Sequence, residues 1–293
     1  MKFLVTGATG FLGWRLTVLL RERGHDVIAL ARPGGADRAH ARDLEVVRLD
    51  AGSRDARELV PGCDAVLHFA GVPDPAGARS DPARAVRENV GTTLNLLAGA
   101  EGGDTGLVYP STVRAGMDPP PDEYAVSKRL GEEVCRLHPA AATVLRFSSV
   151  FGPGQLAREG ATGAIANFAA RALAGVPIVI PGNPRRTRDF LYVDDVAPAL
   201  ESIVTGGRWN VTLAFGSGER VSLLEAAEAV KRAAGSSSPI ETPGGTLPRG
   251  EDESYDAPSG RQHGFHIRPF EEAIQLYVDW LRTDPAAQGR AGA

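Results

Sequence analysis

Three glycines near the start of the chain lie between a short apolar run and a helical pattern, and this arrangement constrains the fold most strongly. Residues 3–5 (FLV) form the apolar run, and residues 6–13 (TGATGFLG) contain the glycines. Leucines then recur at helical spacing, at Leu16, Leu19 and Leu20. The segment therefore predicts a strand, a glycine turn and a helix.

Each glycine of this turn has its own physical purpose if the turn binds phosphate. Gly7 allows the tight turn, Gly10 leaves space for a pyrophosphate near the backbone, and Gly13 lets the helix pack closely on the strand. The free N–H groups at the start of the helix would then face the phosphates. The cofactor contacts predicted in this turn are Gly7, Thr9, Gly10, Phe11, Leu12 and Gly13. The alternative is a glycine-rich turn that binds no ligand.

Short apolar strands alternate with helical patterns beyond this turn. Strands are predicted at residues 27–30, 44–49, 65–69, 106–109 and 143–147, and helices at residues 85–97 and 124–137. This alternation predicts an α/β fold, a Rossmann-type doubly wound parallel sheet with helices on both faces. Such sheets bind their ligands at the carboxyl ends of the strands. The cofactor contacts predicted at these ends are Asp50, Ala51, Phe69, Ala70 and Gly71.

The length of the chain allows two lobes. We predict a dinucleotide-binding domain over residues 1–153, with later returns near residues 188–213. A smaller C-terminal α/β lobe for the substrate is predicted over residues 154–187 and 222–282. Residues 283–293 are rich in alanine, glycine and polar residues, and this tail is predicted to be disordered.

Composition and charge argue against several classes of partner. The formal net charge of −4 gives no broad basic surface for nucleic acid. No apolar run is long enough to cross a bilayer, and residues 3–5 lead directly into the glycine turn, so we predict neither a membrane span nor a secretory signal. Cys63 and Cys135 fit reduced thiols of a cytoplasmic protein better than a disulfide framework. No metal site is predicted.

The end of the second predicted strand bears on the choice of cofactor. An acidic residue there would bind the ribose hydroxyls of NAD, but the chain has Ala31 followed by Arg32. A guanidinium can pair with a 2′-phosphate, so Arg32 favours NADP. NAD is the alternative if Arg32 is a solvated surface charge. Asp50, which ends the third strand, is either an adenine contact or a turn residue.

Tyr124 and Lys128 are four residues apart and lie on one face of a predicted helix. The ammonium group can stabilise a tyrosinate and lower the pKa of the phenol toward the working pH. The same lysine can hold the nicotinamide ribose. Ser111 and Thr112 follow a strand, and a hydroxyl there can bind the carbonyl or alcohol oxygen of a substrate. These four residues form the predicted catalytic group.

Several segments resemble the extended short-chain dehydrogenase/reductases, in the group of nucleotide-sugar epimerases, dehydratases and reductases. Besides the glycine spacing and the Tyr–Lys pair, the matching segments are residues 89–97 (NVGTTLNLL), 145–154 (LRFSSVFGPG), 188–197 (RDFLYVDDVA) and 209–211 (WNV). The resemblance implies that this chain binds a nicotinamide cofactor. The further cofactor contacts that it implies are Asn89, Tyr124, Lys128, Phe147, Ser149 and Val150.

The resemblance extends to a segment that contacts the substrate. Residues 248–259 (PRGEDESYDAPS) are similar to the run in which an arginine of this group grips a nucleotide diphosphate, together with the arginine of the RDF motif. Carried over, these arginines are Arg249 and Arg188, and Ser148 is a further predicted substrate contact. Two guanidiniums suit a pyrophosphate because each offers a bidentate fork. The partner implied is a nucleoside-diphosphate sugar, and the group commonly forms homodimers through the helices of residues 85–97 and 124–137.

The chain departs from this group just after the predicted catalytic hydroxyls. The group has Val-Tyr-Gly there, whereas this chain has Val113–Gly116 with the sequence VRAG. Counting back from Gly116 points to Ser111 as the catalytic hydroxyl, and anchoring on the strand points to Thr112. We prefer Thr112 because strand ends tolerate insertions less than loops do. No glutamate–lysine pair stands beside Thr112, which argues against a dehydratase.

These observations predict an NADP-dependent oxidoreductase that reduces a keto group, most simply at C4, of a nucleoside-diphosphate sugar. An NAD-dependent nucleotide-sugar 4-epimerase is the first alternative, because the same residues can run the reaction in both directions. A carbonyl reductase acting on a substrate other than a sugar is the second. A cofactor-binding regulator without turnover is disfavoured, because Tyr124, Lys128 and both hydroxyls are present. The sequence identifies neither the nucleotide nor the sugar.

Overall fold

Strands and helices alternate through the first half of the chain. The structure is a computed structural model and describes residues 1–34, 41, 44–157, 163–284 and 287. The elements of the first half are β1 (Lys2–Thr6), α1 (Phe11–Glu22), β2 (Asp26–Ala31), β3 (Val47–Arg48), α2 (Arg54–Glu58), β4 (Ala65–His68), α3 (Pro75–Ser80), α4 (Pro82–Val86), α5 (Thr92–Ala100), β5 (Gly106–Thr112), α6 (Glu123–Leu137) and β6 (Ala142–Phe147).

Shorter strands separate the helices of the second half. Its elements are β7 (Ser149–Phe151), α7 (Ala164–Leu173), β8 (Ile178–Pro181), β9 (Thr187–Arg188), β10 (Phe190–Tyr192), α8 (Val196–Thr205), β11 (Thr212–Phe215), β12 (Val221–Ser222), α9 (Leu223–Ala233), β13 (Ile240–Gly244) and α10 (Phe270–Thr283).

Seven strands form one parallel sheet with helices beside it, in the order β3-β2-β1-β4-β5-β6-β11. β1 pairs in parallel with both β2 and β4. The chain therefore moves outward from β1 to β3, returns to the other side of β1, and continues outward from β4. A reversal of this kind leaves a crevice at the carboxyl ends of the central strands, where such sheets bind their ligands. The predicted Rossmann-type α/β fold is confirmed.

The chain divides into two compact units, and the first comprises Met1–Arg146 and Val196–Ala214. Its core includes Leu4, Val66 and Leu107 from the sheet, all fully buried, packed with Leu96 and Leu97 of α5. Consecutive residues of β1 and β4 are buried, because helices cover a parallel sheet on both sides. The apolar runs in the sequence follow from this burial.

The second unit comprises Phe147–Asp195 and Phe215–Ala293. Helices α7, α9 and α10 pack around an aromatic centre. The Phe151 ring meets the Phe190, Phe270 and Tyr277 rings edge-on, with centroids 6.0–6.2 Å apart. Such pairs add to the free energy gained from area burial. β7 pairs with β10, and β8 pairs with β13.

Two predicted elements differ from the observed ones. The strand predicted over residues 44–49 is only Val47–Arg48, because it pairs with just the last two residues of β2, Leu30 and Ala31. The single helix predicted over residues 85–97 is interrupted by a π-helical turn, Arg87–Gly91. Such turns replace the i→i−4 bonds locally, and they occur often at functional sites.

Predicted boundaries also differ in the second half. Residues 188–195, predicted to return to the dinucleotide domain, belong to the second unit, because β10 pairs with β7. Residues 209–211, which match a segment of the related group, lie just before β11, and Asn210 there adopts a φ of 60°. The predicted disordered tail, residues 283–293, lies outside the described residues except for Thr283, Asp284 and Ala287.

Candidate active site

The glycine turn between β1 and α1 excludes side chains by close backbone contacts. Gly7 has a φ of 68°, and a Cβ there would lie 2.7 Å from the backbone of Phe69 and Ala70. A Cβ at Gly13 would lie 2.8 Å from the carbonyl carbon of Gly7 and would overlap its oxygen. The predicted reasons for glycine at these two positions agree with this geometry.

Helix α1 begins directly after this turn. Gly10 is the N-cap residue, and its carbonyl accepts the first helical hydrogen bond, from the Trp14 N–H at 3.0 Å. The N–H groups of residues 11–13 precede that bond and point out of the helix N-terminus, where they can receive an anion. Thr9, Phe11 and Leu12 are half-buried around them. A cradle of glycines and free N–H groups fits the diphosphate of a dinucleotide.

Asn89 fixes the loop that follows β4. Its side-chain oxygen accepts the Val72 N–H at 2.9 Å, and its amide nitrogen donates to Val72 O at 3.2 Å and to Ser127 Oγ at 2.9 Å. A Cβ at Gly71, which has a φ of 141°, would overlap the Asn89 oxygen. Asn89 is 1% exposed, so its side chain holds the loop and α6 in place. Its predicted role as a cofactor contact stays a prediction.

His68 joins three elements beneath the glycine turn. Its Nδ1 lies 2.8 Å from Thr6 Oγ1, and its Nε2 lies 3.1 Å from Thr92 Oγ1. Thr6 Oγ1 also accepts the Ala70 N–H at 3.2 Å. Burial, and then the charge of Lys128, lower the pKa of His68 to about 3. The imidazole is therefore neutral at working pH and serves to connect β1, β4 and α5.

The low pKa of His68 makes folding stability depend on pH. Between about pH 6.5 and 3 the unfolded chain binds a proton on this histidine and the folded chain does not, so stability falls as the pH falls. Relative to His68→Gln, the wild type is expected to lose about 1.4 kcal/mol of unfolding free energy per pH unit in this window. Urea unfolding of both proteins from pH 7 to 4 checks this. A constant difference between them would contradict it.

Arg32, predicted to select NADP, is paired with a carboxylate. Its guanidinium lies 3.3 Å from Glu88, whose carboxylate also accepts Arg84 Nε at 2.7 Å. A carboxylate beside the guanidinium repels a phosphate dianion and partly neutralises the positive charge. This pairing weakens the electrostatic argument for NADP that the sequence alone suggests.

Asp50 and Ala51 lie in the loop after β3. Asp50 is exposed, and its Oδ1 accepts the Gly52 N–H at 2.7 Å, which is the turn role that the sequence left open. Ala51 is buried, and its carbonyl accepts Asn95 Nδ2 at 2.9 Å. Asn95 also accepts two bonds from the Arg57 guanidinium. The loop is thus held by α5, and both cofactor contacts predicted in it stay predictions.

Tyr124 lies in the first turn of α6. Asp122 caps this helix by accepting the Ala125 N–H at 2.8 Å. The Tyr124 ring packs against a small apolar cluster of Val72, Ala78 and Ala85. Burial raises the pKa of Tyr124 to about 12, and nearby Arg114 opposes this rise while Asp74 adds to it.

Lys128 lies one turn further along α6 and is 7% exposed. Its Nζ donates to Pro110 O at 2.8 Å and lies 5.0 Å from the centre of the Tyr109 ring. Burial lowers the pKa of Lys128 to about 8, against the influence of Cys135 and Glu132. The Lys128 ammonium therefore loses its proton more readily than that of an ordinary exposed lysine.

The two candidate hydroxyls have different surroundings. Ser111 Oγ donates to Glu132, whose carboxylate also accepts Nε and Nη2 of Arg146 at 2.9 and 2.5 Å. Thr112 instead caps the short turn that follows, and its Oγ1 accepts the Arg114 N–H at 3.3 Å. Both hydroxyls are buried, and the choice of Thr112 over Ser111 as the catalytic hydroxyl stays a prediction.

In the second unit, Arg188 of β9 is hydrogen-bonded to the loop that follows β13. Its guanidinium donates to the carbonyl oxygens of Glu251, at 2.8 Å, and of Glu253, and it lies 4.7 Å from the centre of the Tyr255 ring. Arg249 lies in the same loop and is exposed. The two predicted substrate arginines therefore belong to one cluster, in which Arg188 shapes the loop and Arg249 extends into solvent.

The predicted contacts after β6 lie beside Asp189. Phe147 is buried with its ring 5.6 Å from that of Phe215, whereas Ser148, Ser149 and Val150 are half-buried. The Ser149 N–H donates to Asp189 O at 2.9 Å. The buried Asp189 carboxylate accepts the backbone N–H groups of Ser217, at 2.8 Å, and Gly218, at 2.6 Å. This carboxylate fixes the segment from which Arg188 extends.

Comparison with known proteins identifies the family. Residues 3–211 match the model of the NAD dependent epimerase/dehydratase family. The chain belongs to that family. The resemblance to extended short-chain dehydrogenase/reductases is thereby confirmed. For this epimerase/dehydratase chain, the glycine turn and the Tyr–Lys pair both lie within the matched residues.

Curated relatives of this epimerase/dehydratase chain include decarboxylases of UDP-sugars. It is 27% identical to the UDP-N-acetyl-alpha-D-glucosaminuronate decarboxylase of Bacillus cytotoxicus, over 82% of each chain. It is 25% identical to UDP-glucuronic acid decarboxylase 1 of Danio rerio, over 98% of this chain and 70% of the relative.

Solved structures similar to this family member include NAD complexes. The Thermus thermophilus UDP-glucose 4-epimerase in complex with NAD has a TM-score of 0.82 and 26% identity, over 97% of this chain and 100% of that one. MoeE5 in complex with UDP-glucose and NAD gives the same TM-score and identity, over 96% of this chain and 99% of that one.

The described residues contain neither a candidate metal-binding group nor a membrane-spanning helix. No group of three or more histidine, cysteine, aspartate or glutamate side chains among them could hold a metal ion. None of the helices in the described ranges is long and apolar enough to span a membrane.

Sequence reasoning did not assign a role to several residues that hold the candidate segments of each unit in place. They are Thr6, His68, Asp122, Glu132 and Asp189. One signal was available for Asp122, because an aspartate just before a helical pattern predicts an N-cap. The other four act through partners distant in sequence, such as Arg146 for Glu132, and no local pattern marks such pairs.

Proposed function

We propose that this chain is an NAD-dependent 4-epimerase of a UDP-sugar. The observation that carries the proposal is the likeness, over 97% of this chain, to a UDP-glucose 4-epimerase solved with NAD. It favours the first alternative from the sequence over the NADP-dependent reductase. The pairing of Arg32 with Glu88 supports the same choice, because a carboxylate beside the guanidinium disfavours the 2′-phosphate of NADP. An epimerase also returns its hydride to the sugar, so it needs no exchange of NADPH.

The residues of the first unit suit the binding of NAD. Gly7, Gly10 and Gly13 leave the backbone bare at the start of α1, so that its N–H groups can hold the diphosphate. Bound NAD would accept a hydride from C4 of the sugar and return it to the opposite face of the 4-keto sugar. All other steps fall to side chains of the protein.

Tyr124 is the proposed acid and base. It removes the proton of the C4 hydroxyl as the hydride leaves and gives it back when the alcohol reforms. Thr112 orients the reacting oxygen through its hydroxyl. The Lys128 ammonium supports the ionised tyrosine by its positive charge. Because these roles work equally well in both directions, the same group can oxidise and reduce.

The product formed from UDP-sugars tests this proposal. Purified protein incubated with UDP-glucose is expected to yield UDP-galactose, with no added cofactor, as followed by proton NMR. The cofactor released on heating is expected to be NAD. UDP-glucuronic acid is the discriminating second substrate, because a 4-keto uronic acid is a β-keto acid and can lose CO₂. Loss of CO₂ would indicate a decarboxylase, and turnover only of a keto sugar with NADPH would indicate a reductase.

Arg249 is proposed to bind the diphosphate of the substrate. It is exposed and available, so Arg249→Ala is expected to weaken binding of UDP about tenfold or more, as loss of a charge-assisted contact does. Binding of NAD is expected to stay unchanged. Calorimetry with UDP and with NAD measures both. Arg232→Ala removes another exposed arginine of the second unit and is the matched control. Equal UDP affinity in both variants would exclude Arg249 as a contact of the diphosphate.

We also propose that the chain is a homodimer. Val126 and Leu130 on α6 are 42% and 43% exposed, and Leu94 on α5 is 45% exposed. These are the helices through which the resemblance implies dimerisation. Exposed apolar side chains that share neighbouring helices are typical of a protein interface.

A further inference from the structure

Arg114 occupies the position at which this chain departs from the related group. The short turn Val113–Gly116 connects the end of β5 to the loop before α6. The Arg114 side chain is 14% exposed, and it forms an ion pair with Asp122, which is 1% exposed. A buried guanidinium and carboxylate are costly to desolvate unless they are paired, so this pair fixes both side chains.

Asp122 has a second partner, and this ties Arg114 to Tyr124. One carboxylate oxygen accepts the Ala125 N–H at 2.8 Å as the N-cap of α6, and the other accepts the Arg114 guanidinium. Arg129 of α6 also donates to Ala115 O at 2.7 Å. The turn is therefore fastened to the helix on both sides of Tyr124, and the guanidinium is held at the N-terminal end of α6, on the cap residue two positions before Tyr124.

Arg114 and Asp74 are the charged groups that act on Tyr124, and two further charged groups lie on its own helix or the cap of that helix. Arg114 lies on the turn after β5, Asp74 precedes α3, and Asp122 and Lys128 belong to α6 or its cap. Arg114 opposes the rise in the pKa of Tyr124, and Asp74 adds to it. Lys128 loses its proton more readily than an ordinary lysine, since burial lowers its pKa to about 8. A guanidinium keeps its charge at any working pH.

We propose that Arg114 is a positioning residue whose permanent charge, held by Asp122, favours the ionised form of the Tyr124 hydroxyl. Its effect on turnover rests on the proposed function, but its effect on Tyr124 does not. Lys128 alone provides a weaker cation above about pH 8, and Arg114 maintains a positive charge near the phenol there. The arginine in the VRAG segment thus has a role in the chemistry of this chain.

The ionisation of Tyr124 is measured in the protein without substrate. Tyrosine labelled with ¹³C at Cζ is titrated by NMR, and Tyr124→Phe identifies the signal among the five tyrosines. Arg114→Gln is expected to raise the pKa of Tyr124 by about one unit or more. Asp122→Asn keeps an N-cap side chain but removes the charge that neutralises Arg114, and it is expected to lower this pKa. Arg114→Lys is expected to stay close to the wild type.

The opposite signs separate an electrostatic role from a structural one. Both Arg114→Gln and Asp122→Asn break the ion pair, so a purely structural role would move the Tyr124 pKa in the same direction in both and would overturn the proposal. Far-UV circular dichroism at each pH confirms that the variants stay folded. If Arg114→Gln does not fold, the direction of the Asp122→Asn shift still decides.

The pH dependence of turnover gives the second measurement. The pH at which kcat/KM, which reports the free enzyme, reaches half its maximum is expected to rise in Arg114→Gln and to fall in Asp122→Asn. Opposite NMR shifts in a protein that does not epimerise UDP-glucose would leave this inference intact and reject the proposed function. Normal epimerisation with no NMR shift in either variant would reject this inference and leave the proposed function intact.

Discussion

Tyr124→Phe is expected to lower kcat for epimerisation by roughly 10²–10⁴-fold, the range typical of a lost general acid–base group. The substitution keeps the ring that packs against Val72, Ala78 and Ala85, so the fold should be unchanged. It removes only the hydroxyl that is proposed to exchange a proton with the sugar. Steady-state kinetics with UDP-glucose and calorimetry with NAD measure the two effects separately. Affinity for NAD is expected to stay within about twofold of the wild type.

The two hydroxyls after β5 provide the comparison. Thr112→Val is expected to lower kcat strongly, because it removes the hydroxyl that is proposed to orient the reacting oxygen. Ser111→Ala is expected to reduce folding stability more than turnover, because it removes one of the hydrogen bonds that the buried Glu132 carboxylate accepts. Turnover of Tyr124→Phe close to that of the wild type would remove this tyrosine from the mechanism. A larger kcat loss in Ser111→Ala than in Thr112→Val would reverse the assignment of the hydroxyl.

Gly13→Ala is expected to abolish detectable binding of NAD and to lower the free energy of unfolding by about 1–3 kcal/mol. The added methyl group would lie 2.8 Å from the carbonyl carbon of Gly7 and 3.1 Å from Ala8 Cα. Because these are backbone atoms, α1 or the turn must move, and either movement displaces the N–H groups that hold a diphosphate. Urea unfolding and calorimetry measure the two losses.

Gly91→Ala is the matched control for this substitution. Gly91 is also helical, with φ −64° and ψ −42°, but a Cβ there has no heavy atom within 4 Å among the described residues. Alanine is expected to be neutral or to stabilise by up to about 1 kcal/mol, because it restricts the unfolded chain. If both alanine variants bound NAD normally, the close contact at Gly13 would not matter for the site.

The fold was predictable because its signals are local. Glycines at three fixed positions, apolar runs and the Tyr–Lys spacing each depend on residues within one or two elements. A parallel sheet buries consecutive residues, so the runs of β1 and β4 are visible without an alignment. The predicted boundaries of β3 were wrong, because an edge strand with two paired residues has no distinct sequence pattern. The single helix predicted over residues 85–97 was wrong for the same reason, since a π-helical turn interrupts it.

The site was predictable only in part. Residue types suited to chemistry, such as Tyr124 and Lys128, were evident from the sequence. Their partners were not, because Glu132 reaches Ser111 across 21 positions and Arg32 reaches Glu88 across 56. Such contacts depend on the complete fold, and here they change the interpretation. Arg32 has a carboxylate partner that weakens the electrostatic argument for NADP, and Ser111 has Glu132 beside it.

The order of the strands has a consequence for synthesis of the chain on the ribosome. β6 is the sixth strand of the sheet, and the strand that covers its outer edge, β11, ends only at Phe215. For the whole time in which residues 148–211 are translated, β6 presents a row of unpaired N–H and C=O groups. Exposed edges of this kind invite pairing with other chains. A truncated chain that ends near residue 153 would retain this edge permanently, so we expect it to aggregate rather than to yield a free dinucleotide-binding domain.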